Sequence, residues 1–330
     1  MTSAVKPSIV TITDSNFVIA VFLLLCSLRK LGVAARVYVL GVDLTEEESA
    51  LLDQFDEVKV CPADLSNKRN PATRKGEALL LAADDDSDYV TLSDGDCLVT
   101  GDISGYLTPE GSGFFARMKS PEEDGLVFSS RYGKQDEYGT IPVRVLEQWR
   151  RDVGERHEPA IRNTVCGGNL TLSKDYLWFA RRWQEQMLRV LPETRTREAH
   201  DPRSEAYSQL DESVLNSLLA FADEAPPIHR GKLDADRSAY LAHLGPNNPK
   251  PWVLWRKEKL QYFDLVVDLL DWARSQNYEL PPIPWTFKRR NKPFAYVVAH
   301  AFHVYRLARR VAGGLVKKRI VQRGQPQNGV

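Results

Sequence analysis

Two aspartates, Asp94 and Asp96, are separated by a single glycine, and their spacing is the most direct indication of chemistry in this chain. Carboxylates placed in this way can both reach one hard divalent cation, and Gly95 between them lets a ligand approach the backbone. An Asp-Gly pair is also a common turn sequence, so a turn exposed to solvent is the alternative interpretation. These three residues alone leave both interpretations open.

The segments that must position these aspartates alternate between strand-like and helix-like patterns. Runs of β-branched residues predict strands, and apolar residues at helical spacing predict helices, the first of them capped by Asn16. Alternating strands and helices are predicted over residues 8–13, 16–30, 36–40, 45–54, 58–61, 73–83 and 89–93. This order is typical of a doubly wound α/β fold, in which ligands bind at the carboxyl ends of the strands. Asp14 and Asp94 both fall at such ends.

The second half of the chain is less regular. A strand predicted over residues 164–173 contains Gly167 and Gly168, which indicate either a β-bulge or a close approach to the backbone. Two stretches without a clean period, 119–163 and 192–208, are expected to be excursions from the core. Helices are predicted over residues 174–191, 209–221 and 257–276.

Four segments, taken in chain order, resemble one enzyme family. They are residues 13–17 (Thr-Asp-Ser-Asn-Phe), 94–96 (Asp-Gly-Asp), 211–216 (Asp-Glu-Ser-Val-Leu-Asn) and 243–252, which begin with His-Leu-Gly and end with Lys-Pro-Trp. Over residues 8–255 the chain thus resembles the retaining glycosyltransferases of family 8, which have the GT-A fold. That family includes bacterial lipopolysaccharide galactosyl- and glucosyltransferases and glycogenin.

The resemblance implies a role for each segment. Thr13, Asp14 and Phe17 would hold the uracil and ribose of a UDP-sugar. Asp211 and Glu212 would lie beside the donor sugar as catalytic residues. The other implied roles are metal binding by Asp94, Asp96 and His243, and donor binding by Asp94, Gly95, Asn169, Gly245, Lys250 and Lys75.

Several positions depart from the family pattern. Phe17 replaces a tyrosine, which keeps a stacking face and loses a hydroxyl, and Glu212 replaces a glutamine. Gly245 follows His243 by two residues instead of three, and Lys250 follows it by seven instead of six. The arginine that the family carries before the metal-binding strand lies a few residues nearer to that strand than Lys75 does.

The chemistry of these residue types supports the implied metal site. A departing nucleoside diphosphate gains negative charge, which a cation held by Asp94, Asp96 and His243 would neutralise. Lys250 would add a second positive charge beside the same oxygens. Two carboxylates and one imidazole suit Mn²⁺ and admit Mg²⁺. His243 taken alone would be an ordinary structural histidine, and its place shortly before Lys-Pro-Trp favours a ligand role.

The charge of the chain is distributed unevenly, although 44 basic residues balance 44 acidic ones. Residues 286–330 hold 11 basic residues and no acidic one, so the remainder carries an equal negative excess. Apolar and aromatic residues, from Phe294 to Leu315, recur there at helical spacing. A basic amphipathic helix of this kind predicts binding to an anionic membrane surface. Docking on the acidic body of the same protein and binding to nucleic acid are the alternatives.

Cysteine usage and hydropathy bear on the compartment. The four cysteines, Cys26, Cys61, Cys97 and Cys166, stand singly and form neither a zinc pattern nor a disulfide framework. The longest apolar run, residues 17–26, is too short to span a bilayer and badly placed for a signal peptide. We therefore expect a cytoplasmic protein, associated peripherally with a membrane, with no nucleic-acid partner.

These features together predict an α/β protein of GT-A type, with a mixed, mostly parallel sheet, flanking helices and a C-terminal helical tail. Residues 1–280 are expected to form the catalytic domain and residues 281–330 the basic tail. The expected activity is Mn²⁺-dependent transfer of a hexose, with retention, from a UDP-sugar to a lipid-linked or cell-envelope saccharide. The alternatives are a metal-dependent phosphatase, of which haloacid-dehalogenase-like enzymes share the early aspartate pair, a nucleotidyltransferase, or a non-catalytic protein that binds a membrane or nucleic acid.

Overall fold

The structure is a computed structural model in which the chain divides into two compact units, Met1–Ala242 and His243–Val330. For residues 230, 310 and 313–323 only the backbone is described. The residues described are 6–64, 71–121, 123, 139–190, 206–230, 240–245 and 249–323.

The first unit contains a seven-stranded sheet with the order β3-β2-β1-β4-β7-β6-β8. Strands β1 to β4 are parallel, β7 runs antiparallel to both of its neighbours, and β8 is parallel to β6. The predicted mixed, mostly parallel sheet is therefore confirmed. The seven strands are β1 (Pro7–Asp14), β2 (Arg36–Val42), β3 (Val58–Ala63), β4 (Tyr89–Ser93), β6 (Phe114–Met118), β7 (Val165–Ser173) and β8 (Ile228–Arg230).

A second, two-stranded sheet pairs β5 (Cys97–Val99) with β9 (Leu241–His243), the strand in which the first unit ends. The Thr100 backbone N–H donates to the Tyr240 carbonyl at 2.8 Å, next to these strands. This bond fixes where the last residues of the first unit lie relative to the segment that follows Asp96.

Helices flank the large sheet, as expected. α2 begins as the sequence predicts: the Glu48 N–H donates to the Thr45 hydroxyl at 3.1 Å, and the Thr45 N–H donates to the Glu48 carboxylate at 3.0 Å. The helices of this unit are α1 (Val18–Lys30), α2 (Glu46–Asp53), α3 (Lys75–Leu80), α4 (Ser104–Leu107), α5 (Val143–Val153), α6 (Leu177–Val190) and α7 (Asp211–Phe221).

Helix α5 corrects the prediction that residues 119–163 lie off the core. Its apolar side chains Val145, Leu146, Trp149 and Val153 are buried in the main hydrophobic core, and Gly154 ends the helix with a φ of 78°. The Trp149 indole N–H donates to the Ala206 carbonyl at 2.9 Å. Residues 122 and 124–138 of the first predicted excursion and residues 192–205 of the second lie outside the described residues.

The predicted helix over residues 73–83 is shorter than expected. A 3₁₀ turn, Pro71–Arg74, precedes α3, so that Lys75 is the first residue of an α-helix that starts at the sheet. The helices predicted over 174–191 and 257–276 likewise begin with 3₁₀ turns. These turns change the direction of the side chains at the helix starts and leave the order of elements unchanged.

The second unit is built around Trp255. Its ring centroid lies 5.5 Å from that of Phe263 and 5.7 Å from that of Phe287, and its indole N–H donates to the Thr286 carbonyl at 2.8 Å. Phe263 begins α8 (Phe263–Ser275), and Phe287 precedes the long helix α9 (Lys292–Arg323). Among the described residues, no helix combines the length and the apolar character needed to cross a membrane.

Candidate active site

The sheet has a topological switch point between β1 and β4. The chain leaves β1 outward through β2 and β3, and then returns to the other side of β1 as β4. The parallel register pairs Val10 with Leu92, so Asp14, the last residue of β1, and Asp94, which follows β4, lie at the same edge of the sheet. Ligands of open α/β sheets bind at such an edge, which makes this edge the candidate site.

The turn after β1 is held by its own hydrogen bonds. The Asn16 backbone N–H donates to Asp14 Oδ1 at 3.0 Å, and the Phe17 N–H donates to the Asp14 carbonyl at 2.9 Å. The Ser15 hydroxyl donates to the Glu48 carboxylate at 2.8 Å, which ties the turn to α2. The half-buried Phe17, and not Asn16, occupies the N-cap of α1, so the predicted cap is wrong. The residue that holds the turn before α1 is Asp14, which lies two positions before Asn16.

Lys75 lies at the centre of a buried charge cluster. Its Nζ is 3.0 Å from Asp94 Oδ1 and 2.9 Å from Asp211 Oδ2, and it donates to the Gly167 carbonyl at 3.0 Å. These contacts use all three ammonium protons. Lys75 therefore joins the residue after β4, the first residue of α7 and the backbone of β7.

The cluster carries more negative than positive charge. Burial raises the pKa of Asp211 to about 6, although the charge of Lys75 opposes this shift. Burial alone would lower the pKa of Lys75, but Asp211 and Asp94 raise it above its ordinary value, so the lysine stays protonated. One ammonium group thus faces two carboxylates, and the buried Asp96 adds a third close by in the sequence. Such a surplus favours the binding of a cation.

The two glycines of β7 are explained by the side chains that cross them. A Cβ built on Gly168 would overlap the Asp94 carboxylate, and the Asp94 N–H donates to the Gly168 carbonyl at 2.8 Å. A Cβ on Gly167 would lie 3.2 Å from Glu212 Cβ. Both glycines therefore admit acidic side chains close to the strand.

A β-bulge is also present at this place, so both interpretations of the two glycines, the close approach and the bulge, are confirmed. The pairing of β6 with β7 shifts from Ala116 opposite Leu170 to Met118 opposite Val165. Side chains bond the Gly167 backbone in the bulge: its N–H donates to Glu212 Oε2 at 2.9 Å, and its carbonyl accepts from Lys75. The bulge is thus bonded to charged groups of the site.

Gly95 is required by packing. A Cβ on Gly95 would lie 2.6 Å from Val21 Cγ2 of α1 and 3.1 Å from the Ile12 carbonyl of β1. The absence of a side chain here lets the end of β4 pack against α1 and β1. The glycine of the Asp-Gly-Asp segment consequently has a structural reason that is independent of any ligand.

Two asparagines of the predicted segments serve the fold. The buried Asn169 accepts from the Ser93 hydroxyl at 3.2 Å and lies 3.5 Å from Cys97 Sγ. Asn216 bonds both backbone groups of Val165, accepting from its N–H at 2.7 Å and donating to its carbonyl at 3.0 Å. Asn216 thereby fixes α7 to β7, which positions Asp211 and Glu212 at the start of that helix.

Residues missed by sequence reasoning surround Glu212. Lys119, one residue beyond β6, forms an ion pair with Glu212 and donates to Gln209 Oε1 at 2.7 Å. Leu210, between Gln209 and Asp211, has a φ of 47° and a ψ of −112°, which is unusual for a bulky residue. Such strain costs on the order of 1–3 kcal/mol and clusters at functional sites. The sequence offered one indication that Lys119 belongs to the site: it is a charged residue that directly follows the apolar strand β6.

The remaining predicted residues belong to the second unit. His243 ends β9, and its carbonyl accepts from Lys259 Nζ at 2.6 Å. Lys250 Nζ donates to the Gly245 carbonyl at 2.6 Å and lies 6.0 Å from the ring centroid of Trp252. The loop thus brings Gly245 and Lys250 together, and the one-residue shifts in its spacing do not separate them.

Neither the protein-family models nor the curated proteins contain a match to this chain. Among solved structures, the apo structure of WbbM, a bifunctional glycosyltransferase, is similar with a TM-score of 0.51 and 14% sequence identity. The match covers 82% of this chain and 50% of that chain, so the present chain spans about half of WbbM. The chain has the fold of a glycosyltransferase. This similarity confirms the predicted GT-A architecture.

Two further glycosyltransferase structures are similar at a lower level. GlyE from Streptococcus pneumoniae TIGR4 has a TM-score of 0.48 and 14% identity, with 84% of this chain and 65% of that chain covered. The galactosyltransferase LgtC, solved in complex with donor and acceptor sugar analogs, has a TM-score of 0.46 and 16% identity, with 86% and 99% covered.

Proposed function

We propose that this protein is a metal-dependent glycosyltransferase that transfers a hexose, with retention, from a UDP-sugar to a lipid-linked or cell-envelope saccharide. The observation that carries the proposal is the cluster in which Lys75 joins Asp94 to Asp211. This cluster lies at the switch point of a sheet with a glycosyltransferase fold, where a donor would bind.

The metal site of the proposal consists of Asp94, Asp96 and His243, with Mn²⁺ as the expected ion and Mg²⁺ as a substitute. The negative surplus around Lys75 fits a cation, and a quarter of the Asp94 side chain remains exposed (25%). A bound divalent cation would supply charge neutralisation for the leaving nucleoside diphosphate.

The protein groups around that cation would bind the donor in two parts. The turn of Thr13, Asp14 and Phe17 is held rigidly at the end of β1, where it would accept the uracil and the ribose. Lys250, placed beside Gly245, would contact the diphosphate. Asp211, fixed by Lys75, would face the donor sugar and either attack its anomeric carbon or orient it for attack from the same face.

The helix α9 supports a membrane-facing acceptor. Arg289 pairs with Asp268 and Asp271, and Lys292 pairs with Asp264, so part of the basic charge is neutralised within the second unit. Further along, apolar side chains remain exposed and share one helix face: Phe294, Val297, Val304, Tyr305 and Val311. We propose that this face, with exposed basic residues such as Arg309 beside it, lies on an anionic membrane surface.

A screen of sugar nucleotides with Mn²⁺ and no acceptor tests the function. A glycosyltransferase slowly releases free sugar and nucleoside diphosphate. A phosphatase, which needs a terminal phosphate, and a nucleotidyltransferase, which needs a second substrate, would release neither product from sugar nucleotides alone. The Asp94→Asn variant is expected to lose the activity, since it removes a charge from the metal site. Asp102→Asn is the matched control, because Asp102 accepts a bond from the Ser104 N–H at 2.8 Å outside the cluster. Mn²⁺-independent turnover by Asp94→Asn would contradict the assignment.

A further inference from the structure

Lys119 is a buried lysine to which the proposed function assigns no role. Its backbone N–H donates to the Thr164 carbonyl at 2.9 Å, which holds the residue beside β7 just after β6 ends. Only 9% of its side chain is exposed, and the Glu212 side chain with which it pairs is 13% exposed. A buried ion pair of this kind costs desolvation energy, so its presence needs a reason beyond surface electrostatics.

The contacts of Lys119 lie on both sides of a strained residue. Gln209, whose side-chain oxygen accepts from Lys119, precedes Leu210, and Glu212 follows it by two residues. The positive φ of Leu210 sets the direction in which Asp211 enters α7. A strained backbone persists only where its surroundings determine it, and Lys119 holds the chain before and after this point.

The contacts of Glu212 link Lys119 to the charge cluster around Lys75. The second carboxylate oxygen of Glu212 accepts from the Gly167 N–H, and the Gly167 carbonyl accepts from Lys75 Nζ. Lys75 in turn contacts Asp211 at 2.9 Å. A displacement of Lys119 would therefore reach Asp211 by two routes, through the Leu210 backbone and through the peptide of Gly167.

We propose that Lys119 is the positioning residue that holds Asp211 in place, and that Glu212 is its counter-ion and does not attack the sugar. Both oxygens of the Glu212 carboxylate are bonded, one to Lys119 and the other to the Gly167 N–H, which lowers its nucleophilicity. The kinetic consequences of this proposal rest on the proposed function, whereas its structural consequences do not.

The structural test is a crystal structure of the Lys119→Met variant. We expect Leu210 to relax to a negative φ and the Asp211 to Lys75 distance to exceed hydrogen-bond range, about 3.5 Å. Lys174→Met is the matched control, since Lys174 is a lysine whose ammonium group donates to the Asp85 carbonyl, outside the cluster. A variant structure that keeps both the positive φ and the contact would overturn the proposal, whether or not the protein acts on sugars.

The kinetic test uses Glu212→Gln and the double variant Lys119→Gln with Glu212→Gln, in which two amides can replace the ion pair. We expect kcat for donor hydrolysis to fall about 100-fold in Lys119→Met with KM little changed, because misplacement by about 1 Å has this effect. The double variant should recover to within about tenfold of wild type, because two amides keep the hydrogen bond and lose only its charge.

If Glu212 were the attacking group, both variants that carry glutamine at position 212 would lose about 10⁴-fold or more, as removal of a nucleophile does. That result, in protein that unfolds cooperatively, would overturn the proposal. If Lys119→Met does not fold, the double variant takes its place in the crystal experiment, with a retained positive φ expected and a relaxed Leu210 as the contrary result. A wild-type protein that hydrolyses no sugar nucleotide would refute the proposed function and leave the structural test decisive.

Discussion

Replacing Lys75 by methionine should destabilise the protein strongly, because two carboxylates would lose their common partner. Lys75 Nζ lies 3.0 Å from Asp94 and 2.9 Å from Asp211, whose side chains are 25% and 10% exposed. Removing one partner of a buried pair costs about 3–5 kcal/mol. We expect the lower part of this range, since water still reaches Asp94 and Asp211 can take up a proton.

The cost should depend on pH. The pKa of Asp211 is already raised to about 6 by burial against the opposing charge of Lys75, and the substitution removes that charge, so this pKa rises further. A carboxyl group whose pKa is higher in the folded state than in the unfolded chain binds its proton preferentially when folded, and stability falls as pH rises through the interval between the two values. In the variant this interval extends above pH 6. Between pH 6 and pH 8 the destabilisation relative to wild type should therefore grow by about 1.4 kcal/mol for each pH unit that lies below the new pKa.

Urea unfolding of both proteins at these two pH values, with a chelator present, measures this difference. Lys174→Met serves as the control, because its contact with the Asp85 carbonyl lies outside the cluster and should give the same change in stability at both pH values. Equal destabilisation of Lys75→Met at pH 6 and pH 8, or a variant as stable as wild type, would refute the description of Lys75 as the partner of two buried carboxylates.

Three further predictions address the bulge, a helix cap and the tail. Gly168→Ala should leave the fold intact by circular dichroism and reduce donor hydrolysis at least about 100-fold, since its Cβ would displace the Asp94 carboxylate; wild-type activity would contradict this. Thr45→Ala should lower the free energy of unfolding by about 1 kcal/mol through loss of the capping box, and an unchanged urea midpoint would count against it. Val297→Glu with Val304→Glu should abolish sedimentation with anionic vesicles, whereas Leu31→Glu, at an exposed apolar residue of the first unit, should not; vesicle binding by the double variant would remove the membrane role of α9.

The sequence predicted which strand ends border the site, because strands and the turns that end them depend on local residue patterns. The strand over residues 89–93 was predicted with the bounds that the structure gives, and Asp14 and Asp94 lie at neighbouring strand ends. Ligands of parallel α/β sheets bind at these ends, so the strand pattern placed both aspartates at the candidate site. The two glycines of β7 were also recognised, since glycine inside a strand indicates a bulge or a close approach to the backbone, and both are present here.

What the sequence did not provide depends on contacts between distant segments. Lys75 and Asp211 are separated by more than a hundred positions, and no local pattern specifies their contact. Lys119 is an isolated lysine within a charged stretch, and its burial became evident only once β6, β7 and α7 were in place. Helix α5 was missed because its few apolar residues lie within a long charged stretch in which no clean period was recognised.

The central claim is that the cluster of Asp94, Lys75 and Asp211 is the donor site of a glycosyltransferase. The most direct test measures the release of UDP from a UDP-hexose by wild type and by Asp94→Asn, with Mn²⁺ and with a chelator. We predict release by wild type with Mn²⁺, and its loss both with the chelator and in the variant, while Asp102→Asn behaves as wild type. Equal release by wild type and Asp94→Asn, or release that the chelator leaves unchanged, would contradict the claim.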